Sequence, residues 1–190
     1  MKKTIVIIAG LTFLGIFSCK EEFDIKPIGQ VRLEYPNPDY QKFESDCPFT
    51  FEYSDLSHEL KKEQPCWFTL HYPQMKANIY LTYFPAEGSV DLASKIKDSE
   101  RIIQEQTVKA TFISPQEFEF PDKKVYGTLF ELGGESAVNL QFHATDSLNN
   151  LLTGSVYFST LPNYDSLRPA IQYVKRDVVH LIETLEWKNP

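Results

Sequence analysis

The chain has 190 residues, of which 42% are hydrophobic and 24% are charged, a balance typical of globular domains and far from that of disordered chains. Its 19 basic and 26 acidic residues give a formal net charge of −7, which argues against nucleic-acid binding because phosphates require a basic face. Aromatic residues make up 14% of the chain and favour strands over helices. Length, composition and charge therefore indicate one small, acidic, strand-rich domain.

The first 18 residues have the pattern of a secretory signal peptide. A basic start precedes an apolar run over residues 5–17, which is shorter than the roughly 20 residues that span a bilayer. The run ends in Ser18 and Cys19, and a small residue before a cysteine is typical of the bacterial lipoprotein box. We predict cleavage before Cys19, followed by attachment of diacylglycerol and a further acyl chain such as palmitate. A general secretory signal that ends near a cysteine by chance is the alternative.

Three residues after the predicted lipid attachment site indicate how the lipoprotein is sorted. Lys20, Glu21 and Glu22 resemble the surface-export signal of Bacteroidetes lipoproteins. The alternative is that they only form the solvated beginning of a tether. The sequence thus predicts a lipid-anchored protein of the cell envelope, in the outer membrane, on either its periplasmic or its cell-surface side.

Residues 19–46 are predicted to be the lipid anchor and a tether. The segment is polar and contains three prolines, each of which removes a backbone donor and disfavours helix in the residue before it. We expect this tether to lie partly on the domain through the aromatic side chains of Tyr35, Tyr40 and Phe43.

Cys47 and Cys66 are the two cysteines that remain when Cys19 carries lipid. In an exported chain an even pair of cysteines predicts one disulfide bond. A buried free pair is the alternative. Metal binding is disfavoured, because two cysteines lack the further ligands that a zinc site needs.

Residues 47–190 are predicted to form one α+β domain. Alternating apolar and polar residues predict a hairpin of residues 67–72 and 77–84, followed by strands at 109–113, 124–132, 137–145 and 151–158. Apolar residues spaced by three and four predict a helix over 91–106 and a long helix that begins at Asp165 or Ser166. Short turns make neighbouring strands antiparallel, so we expect a mainly antiparallel sheet of about six strands packed by two helices.

Motifs of catalysis do not stand out in the sequence. It contains no Gly-x-Ser-x-Gly string of a serine hydrolase, no glycine-rich phosphate loop and no two histidines at metal-ligand spacing. We therefore predict that the protein is not an enzyme, has no catalytic residues, and holds neither a metal nor a cofactor.

One predicted strand carries a row of polar side chains on a single face. The row consists of Asn139, Gln141, His143 and Thr145. Such a face can line a binding site for a small ligand, so these residues are a candidate ligand face. The alternative is an ordinary solvent-facing surface of the sheet.

Several strings spread over the predicted mature chain carry a resemblance to a known family. They lie at residues 47–53, 66–67, 123–127, 145–147, 154–158, 162–169 and 180–188. In order and spacing they resemble the gliding motility lipoprotein GldD family of Bacteroidetes. The resemblance implies a membrane-anchored accessory of the gliding machinery, which works with the type IX secretion system, and it brings no catalytic residues. The element order is also similar to that of the PsbP-like α/β sandwich.

The combined prediction is a non-enzymatic interaction or assembly module. Its expected partners are the membrane, through the lipid anchor, and other envelope proteins of the gliding and secretion machinery, but not nucleic acid. The alternative is an envelope protein that binds a small ligand or a glycan.

Overall fold

The described part of the chain comprises residues 35–61, 64–160 and 164–188 of a computed structural model. It belongs to a unit that runs from Arg32 to Pro190. The predicted signal peptide, Cys19 and the sorting residues 20–22 lie outside the described residues. Within the described ranges, no helix is both long enough and apolar enough to cross a membrane.

The described residues form eleven β-strands and two α-helices. The strands before the first helix are β1 (Tyr40–Lys42), β2 (Phe49–Thr50), β3 (Glu52–Ser54), β4 (His58–Lys61), β5 (Trp67–Tyr72) and β6 (Ala77–Pro85). The remaining elements are α1 (Ser89–Gln106), β7 (Ala110–Phe120), β8 (Val125–Gly134), β9 (Val138–Thr145), β10 (Asn150–Phe158), α2 (Tyr164–Thr184) and β11 (Glu186–Trp187).

Seven of these strands form one antiparallel sheet in the order β4-β5-β6-β10-β9-β8-β7. The order places β10 beside β6, so that Thr153 lies opposite Thr82 although the two residues are far apart in the sequence. The strands β4 and β7 are the two edges, and the short pairs β1–β3 and β2–β11 lie outside this sheet. The predicted α+β architecture, with a mainly antiparallel sheet and two helices, is confirmed.

Two edge strands depart from the predicted elements. The strand β4 pairs with β5 although its residues show no alternation of apolar and polar side chains that would predict a strand. The strand β7 continues to Phe120, whereas the spacing predicts an end at Ile113. Pro115 lies inside it, opposite Phe130 of β8. A proline is tolerated there because an edge strand has a side on which no neighbour requires its missing donor.

Each face of the sheet is packed by one helix. On one face, Leu140 and Phe142 of β9 share a core with Val174 and Val178 of α2, and none of these side chains is more than 1% exposed. On the other face, Leu92 of α1 packs in a smaller apolar cluster. Alternation along β9 therefore sends its apolar residues towards α2 and its polar residues towards α1.

A buried carboxylate fastens α2 to the sheet. Glu131 of β8 accepts hydrogen bonds from the Tyr164 hydroxyl at 2.6 Å, the Gln172 amide at 3.0 Å and the Lys175 ammonium at 2.7 Å. Burial alone would raise the pKa of Glu131, but these donors outweigh it and hold the pKa below its usual range. The first three turns of α2 are thus fixed against β8.

Candidate functional site

An open groove of about 810 Å³ lies between α1 and the part of the sheet that α1 leaves uncovered. Strands β5, β6 and β10 form its floor, and one side of α1 forms its wall. The lining side chains are Trp67, Asn78, Tyr80, Thr82, Phe84, Lys95, Asp98, Ser99, Ile102, Gln141, Thr153, Ser155, Tyr157 and Ser159.

The floor of the groove is ordered by strand register. Thr82 of β6 lies between Trp67 of β5 and Thr153 of β10, because it is opposite to both. In the next row towards the other end of β6, Tyr80 lies opposite Ser155. Side chains of successive rows on one face are two residues apart, so aromatic and hydroxyl groups are interleaved across three strands.

The aromatic rings of the groove are arranged in two edge-to-face pairs. Trp67 and Phe84 have ring centroids 6.2 Å apart, and those of Tyr80 and Tyr157 are 5.5 Å apart. Tyr80 is 37% exposed, which is unusual for a large ring on a sheet that a helix partly covers. Burial raises the pKa of Tyr157, so this phenol is neutral at physiological pH.

The two charged residues of the lining already have partners of opposite charge. The Lys95 ammonium pairs with Asp91 one turn earlier on α1. A carboxylate oxygen of Asp98 lies 3.8 Å from a guanidinium nitrogen of Arg101. The groove therefore presents mainly aromatic, hydroxyl and amide groups to a ligand.

The candidate ligand face predicted on β9 is buried beneath α1. Each of its four members is less than 10% exposed, namely Asn139, Gln141, His143 and Thr145. Asn139 and Thr145 form hydrogen bonds with neighbouring backbone groups. His143 Nδ1 lies 3.9 Å from a carboxylate oxygen of Glu100 on α1, and burial lowers the pKa of this histidine. These three side chains hold the fold together and do not line the groove.

Gln141 is the member of that face that reaches the groove. Its amide nitrogen donates to the Ser99 carbonyl of α1 at 2.7 Å, which fixes the orientation of the amide. Its amide oxygen is buried and has no hydrogen-bond partner among the described residues. A buried acceptor without a donor costs about 1–3 kcal/mol, so it is retained only where something compensates.

The other groove residues were not predicted as a site. Alternation along β6 does indicate that Asn78, Tyr80, Thr82 and Phe84 share one face. They lie beside β10 only because β6 pairs with β10. That pairing brings together Thr82 and Thr153, which are far apart in the sequence. No local pattern in the sequence reports that pairing.

The predicted disulfide joins Cys47 and Cys66 in the structure. The two Cα atoms are 5.6 Å apart, within the usual range for such a bond. Cys47 follows the buried Phe43, and Cys66 directly precedes Trp67 of the groove floor. The bond therefore connects the residue that follows the predicted tether to the residue directly before β5.

Residues 35–43, which the prediction assigns to the tether, lie on the domain along α2. Tyr35 packs against Tyr173 with ring centroids 5.0 Å apart, and the Tyr173 hydroxyl donates to the Pro36 carbonyl at 2.7 Å. Tyr40 stacks on His180 at 3.6 Å. Phe43, 1% exposed, is part of the main core. The folded part of the chain thus begins upstream of residue 47.

A second buried carboxylate lies beneath this segment. Asp177 of α2 is 2% exposed and accepts a hydrogen bond from the Tyr40 hydroxyl at 3.0 Å. Its other carboxylate oxygen has no hydrogen-bond partner among the residues described. Burial raises the pKa of Asp177, although the hydroxyls around it oppose the shift. Burial and the nearby carboxylate raise the pKa of Tyr40 to about 12.

Asp177→Asn is expected to keep or raise the free energy of unfolding at neutral pH. Folding raises the pKa of Asp177. The stabilisation by this carboxyl group is therefore complete below its pKa in the unfolded chain, and it is lost as pH rises through its pKa in the folded chain. Asparagine is neutral throughout and still offers an oxygen to Tyr40. Urea unfolding between about pH 4 and pH 8 measures the difference.

The matched control for that experiment is Glu183→Gln, at an exposed position of the same helix. It should change the free energy of unfolding by no more than about 0.5 kcal/mol at any pH. A lower stability of Asp177→Asn at pH 7, with the pH dependence of the wild type retained, would contradict the assignment.

In the parts of the chain that the structure describes, no three His, Cys, Asp or Glu side chains are grouped closely enough to hold a metal ion. Two histidines, one beside the groove and one beside residues 35–43, pair with other side chains. His71 Nδ1 is 2.7 Å from the Asn78 amide oxygen, and His180 Nε2 is 2.8 Å from a Glu52 carboxylate oxygen. These imidazoles take part in side-chain pairs on the sheet and on α2.

The fold and the site together define an α+β domain with one disulfide bond between described residues. An aromatic groove lies on one face of its sheet, and residues 35–43 are held against α2 on the other face. The family model described as "Gliding motility lipoprotein GldD" matches residues 20–187. The chain therefore belongs to the gliding motility lipoprotein GldD family, and the predicted membership is confirmed. A lipoprotein family places the protein in the cell envelope with a lipid anchor.

Other comparisons add little. Among curated proteins, no sequence matches this chain. A crystal structure from Bacteroides thetaiotaomicron VPI-5482, at 1.50 Å resolution, is similar at 16% identity and a TM-score of 0.39. The alignment covers 77% of this chain and 47% of that protein, so the chain spans about half its length. Similarity at this level carries no argument about function.

Proposed function

We propose that the protein is a non-enzymatic assembly module of the gliding machinery, linked to type IX secretion and anchored in the outer membrane. The observation that carries this proposal is the family match, which extends over residues 20–187. Such a module acts by binding another envelope component, so it needs a stable domain and a defined attachment to its anchor.

The fastened N-terminal segment supports this role. The Tyr173 hydroxyl and the ring of His180 hold residues 35–43 along α2, and Phe43 inserts into the core. A force or a restraint applied through the anchor would therefore act on the folded domain at α2.

Cys19→Ala is expected to abolish gliding when it is the only copy in a deletion strain. The substitution removes the thiol that the lipidation step needs, while it leaves the folded domain unchanged. Gliding speed of single cells, together with palmitate labelling and membrane fractionation, measures the effect. The matched control is Ser18→Ala, which keeps a small residue before the cysteine. Wild-type gliding by an unlabelled Cys19→Ala protein would contradict the need for an anchor.

The link to type IX secretion has its own readout in the same strains. Deletion is expected to lower the amount of secreted cargo in the medium as well as to stop gliding, and the wild-type gene is expected to restore both. Normal secretion in a deletion strain that does not glide would overturn the secretion link. Recovery of the protein in inner-membrane fractions would overturn the outer-membrane location.

A further inference from the structure

The proposed assembly role rests on the family match and on the N-terminal segment, and it leaves the groove between α1 and strands β5, β6 and β10 without a function. Its volume of about 810 Å³ lies within the range of roughly 300–1,000 Å³ that is typical of small-molecule sites. Two of its apolar side chains, Tyr80 and Ile102, are 37% and 39% exposed. The groove is therefore large enough for a ligand and displays apolar surface that a ligand would cover.

The floor of the groove can recognise a ligand through side chains only. Each floor strand has a neighbour on both sides, since β5 lies between β4 and β6, β6 between β5 and β10, and β10 between β6 and β9. Its backbone donors and acceptors are thus used within the sheet. An extended peptide binds most readily to a free edge, where it continues the ladder, and the edges of this sheet are β4 and β7.

The side chains of the floor match the two surfaces of a sugar ring. A pyranose has C–H faces that pack on aromatic rings, here those of Trp67, Tyr80, Phe84 and Tyr157, whose faces carry partial negative charge. Its hydroxyl rim both donates and accepts hydrogen bonds. Hydroxyl and amide groups lie between the rings, at Asn78, Thr82, Thr153 and Ser155. The Asn78 amide oxygen already pairs with His71 and the Thr153 hydroxyl donates to the Thr82 carbonyl, so Asn78 offers a ligand its amide N–H groups and Thr153 an acceptor oxygen.

Charge on the groove favours an uncharged ligand. The lining charges of Lys95 and Asp98 are both paired along α1. The chain as a whole carries a formal net charge of −7, which disfavours an acidic polysaccharide.

From these observations we propose that the groove binds a neutral oligosaccharide. The aromatic pairs stack on its rings, and the hydroxyl and amide side chains bind its rim. This site does not depend on the proposed assembly role. A variant that loses sugar binding but glides normally would show that motility does not need this site. A variant that loses gliding but binds sugar normally would show that the assembly role lies elsewhere on the domain.

The experiment uses the full-length lipoprotein in a polyoxyethylene detergent, because alkyl maltosides carry a neutral sugar that would occupy the site. Maltohexaose, cellohexaose, mannohexaose and chitohexaose are titrated separately by calorimetry. At least one is expected to bind saturably, and Tyr157→Ala is expected to weaken binding by at least about tenfold. The matched control is Phe112→Ala, an aromatic side chain that is 43% exposed and outside the groove, which should leave binding unchanged.

A second measurement on the wild-type protein does not depend on whether a variant folds. Hydrogen–deuterium exchange with the bound hexasaccharide should show protection confined to β5, β6, β10 and α1. The proposal is overturned if none of the four sugars binds at millimolar concentration, if protection lies elsewhere, or if Tyr157→Ala and Phe112→Ala bind equally well. Protection of the groove by neutral peptides, without protection by any sugar, would assign it to a peptide and overturn the proposal as well.

Discussion

Replacing Cys47 and Cys66 together by alanine is expected to lower the free energy of unfolding by about 3 kcal/mol. The bond closes a loop of 19 residues, and loop closure of that length restricts the unfolded chain by about this amount. The folded state also loses the connection between the segment that contains Phe43 and the residue directly before β5. Urea unfolding of the oxidised wild type and the double variant measures the difference.

The backbone at Cys66 provides a control for that experiment. Its φ of 60° lies in the left-handed region, where a side chain costs about 1–2 kcal/mol compared with glycine. Cys47→Ala combined with Cys66→Gly should therefore be more stable than the double alanine variant by about 1 kcal/mol. A double alanine variant within about 1 kcal/mol of the oxidised wild type would contradict the structural role of the bond.

Asp146→Ala is expected to lower the free energy of unfolding by about 3 kcal/mol. One carboxylate oxygen of Asp146 accepts the backbone N–H groups of Leu148, Asn149 and Asn150 at 2.8–2.9 Å, and the other accepts the Asn150 amide at 2.6 Å. Alanine leaves these donors without their acceptor, and those of Asn150 are buried although Leu148 and Asn149 are exposed.

The pH dependence of the Asp146→Ala effect follows from the same geometry. Burial alone would raise the pKa of Asp146, but its hydrogen bonds outweigh burial and hold the pKa below the usual range. The stabilisation is therefore present above the pKa of the unfolded chain and is lost as pH falls through the folded value. The difference between wild type and Asp146→Ala should shrink under acid conditions.

Asp122→Ala is the matched control, because it removes an exposed carboxylate from the neighbouring turn. It should change the free energy of unfolding by no more than about 0.5 kcal/mol. Equal effects of Asp146→Ala and Asp122→Ala at pH 7 would show that the hydrogen bonds of Asp146 contribute nothing measurable.

Local patterns in the sequence predict much of the fold. Alternation predicts the hairpin of β5 and β6 and sends the even-numbered residues of β6 to one face. Apolar spacing predicts both helices, since Val174 and Val178 lie on one stripe of α2 and are buried there. These signals are local, because a strand or a helix must bury one face whatever its partner is.

The parts that were not predicted depend on long-range pairing. The strand β4 is specified by its pairing with β5, where His58 lies opposite His71, and not by its own alternation. The groove forms only where β6 pairs with β10 and α1 packs beside them. On β9, the polar row predicted as a ligand face contributes Gln141 to the groove, whereas His143 is buried against Glu100 because α1 covers that part of the sheet.

We propose separate roles for the two sides of the domain. Residues 35–43 and Asp177 attach the anchor segment to α2, and the aromatic groove beside α1 lies on the opposite face of the sheet. The seven strands between them place attachment and ligand on different surfaces. Variants on one side can therefore be tested without disturbing the other.

In-cell photo-crosslinking tests the assembly role most directly. A photoreactive amino acid is placed at Arg168 of α2, Glu105 of α1 or Glu119 of β7, which are exposed positions on three different surfaces. We expect at least one position to give a discrete adduct with an envelope protein of the gliding or secretion machinery in gliding cells. Strains that glide normally and give no such adduct from any of the three positions would contradict it.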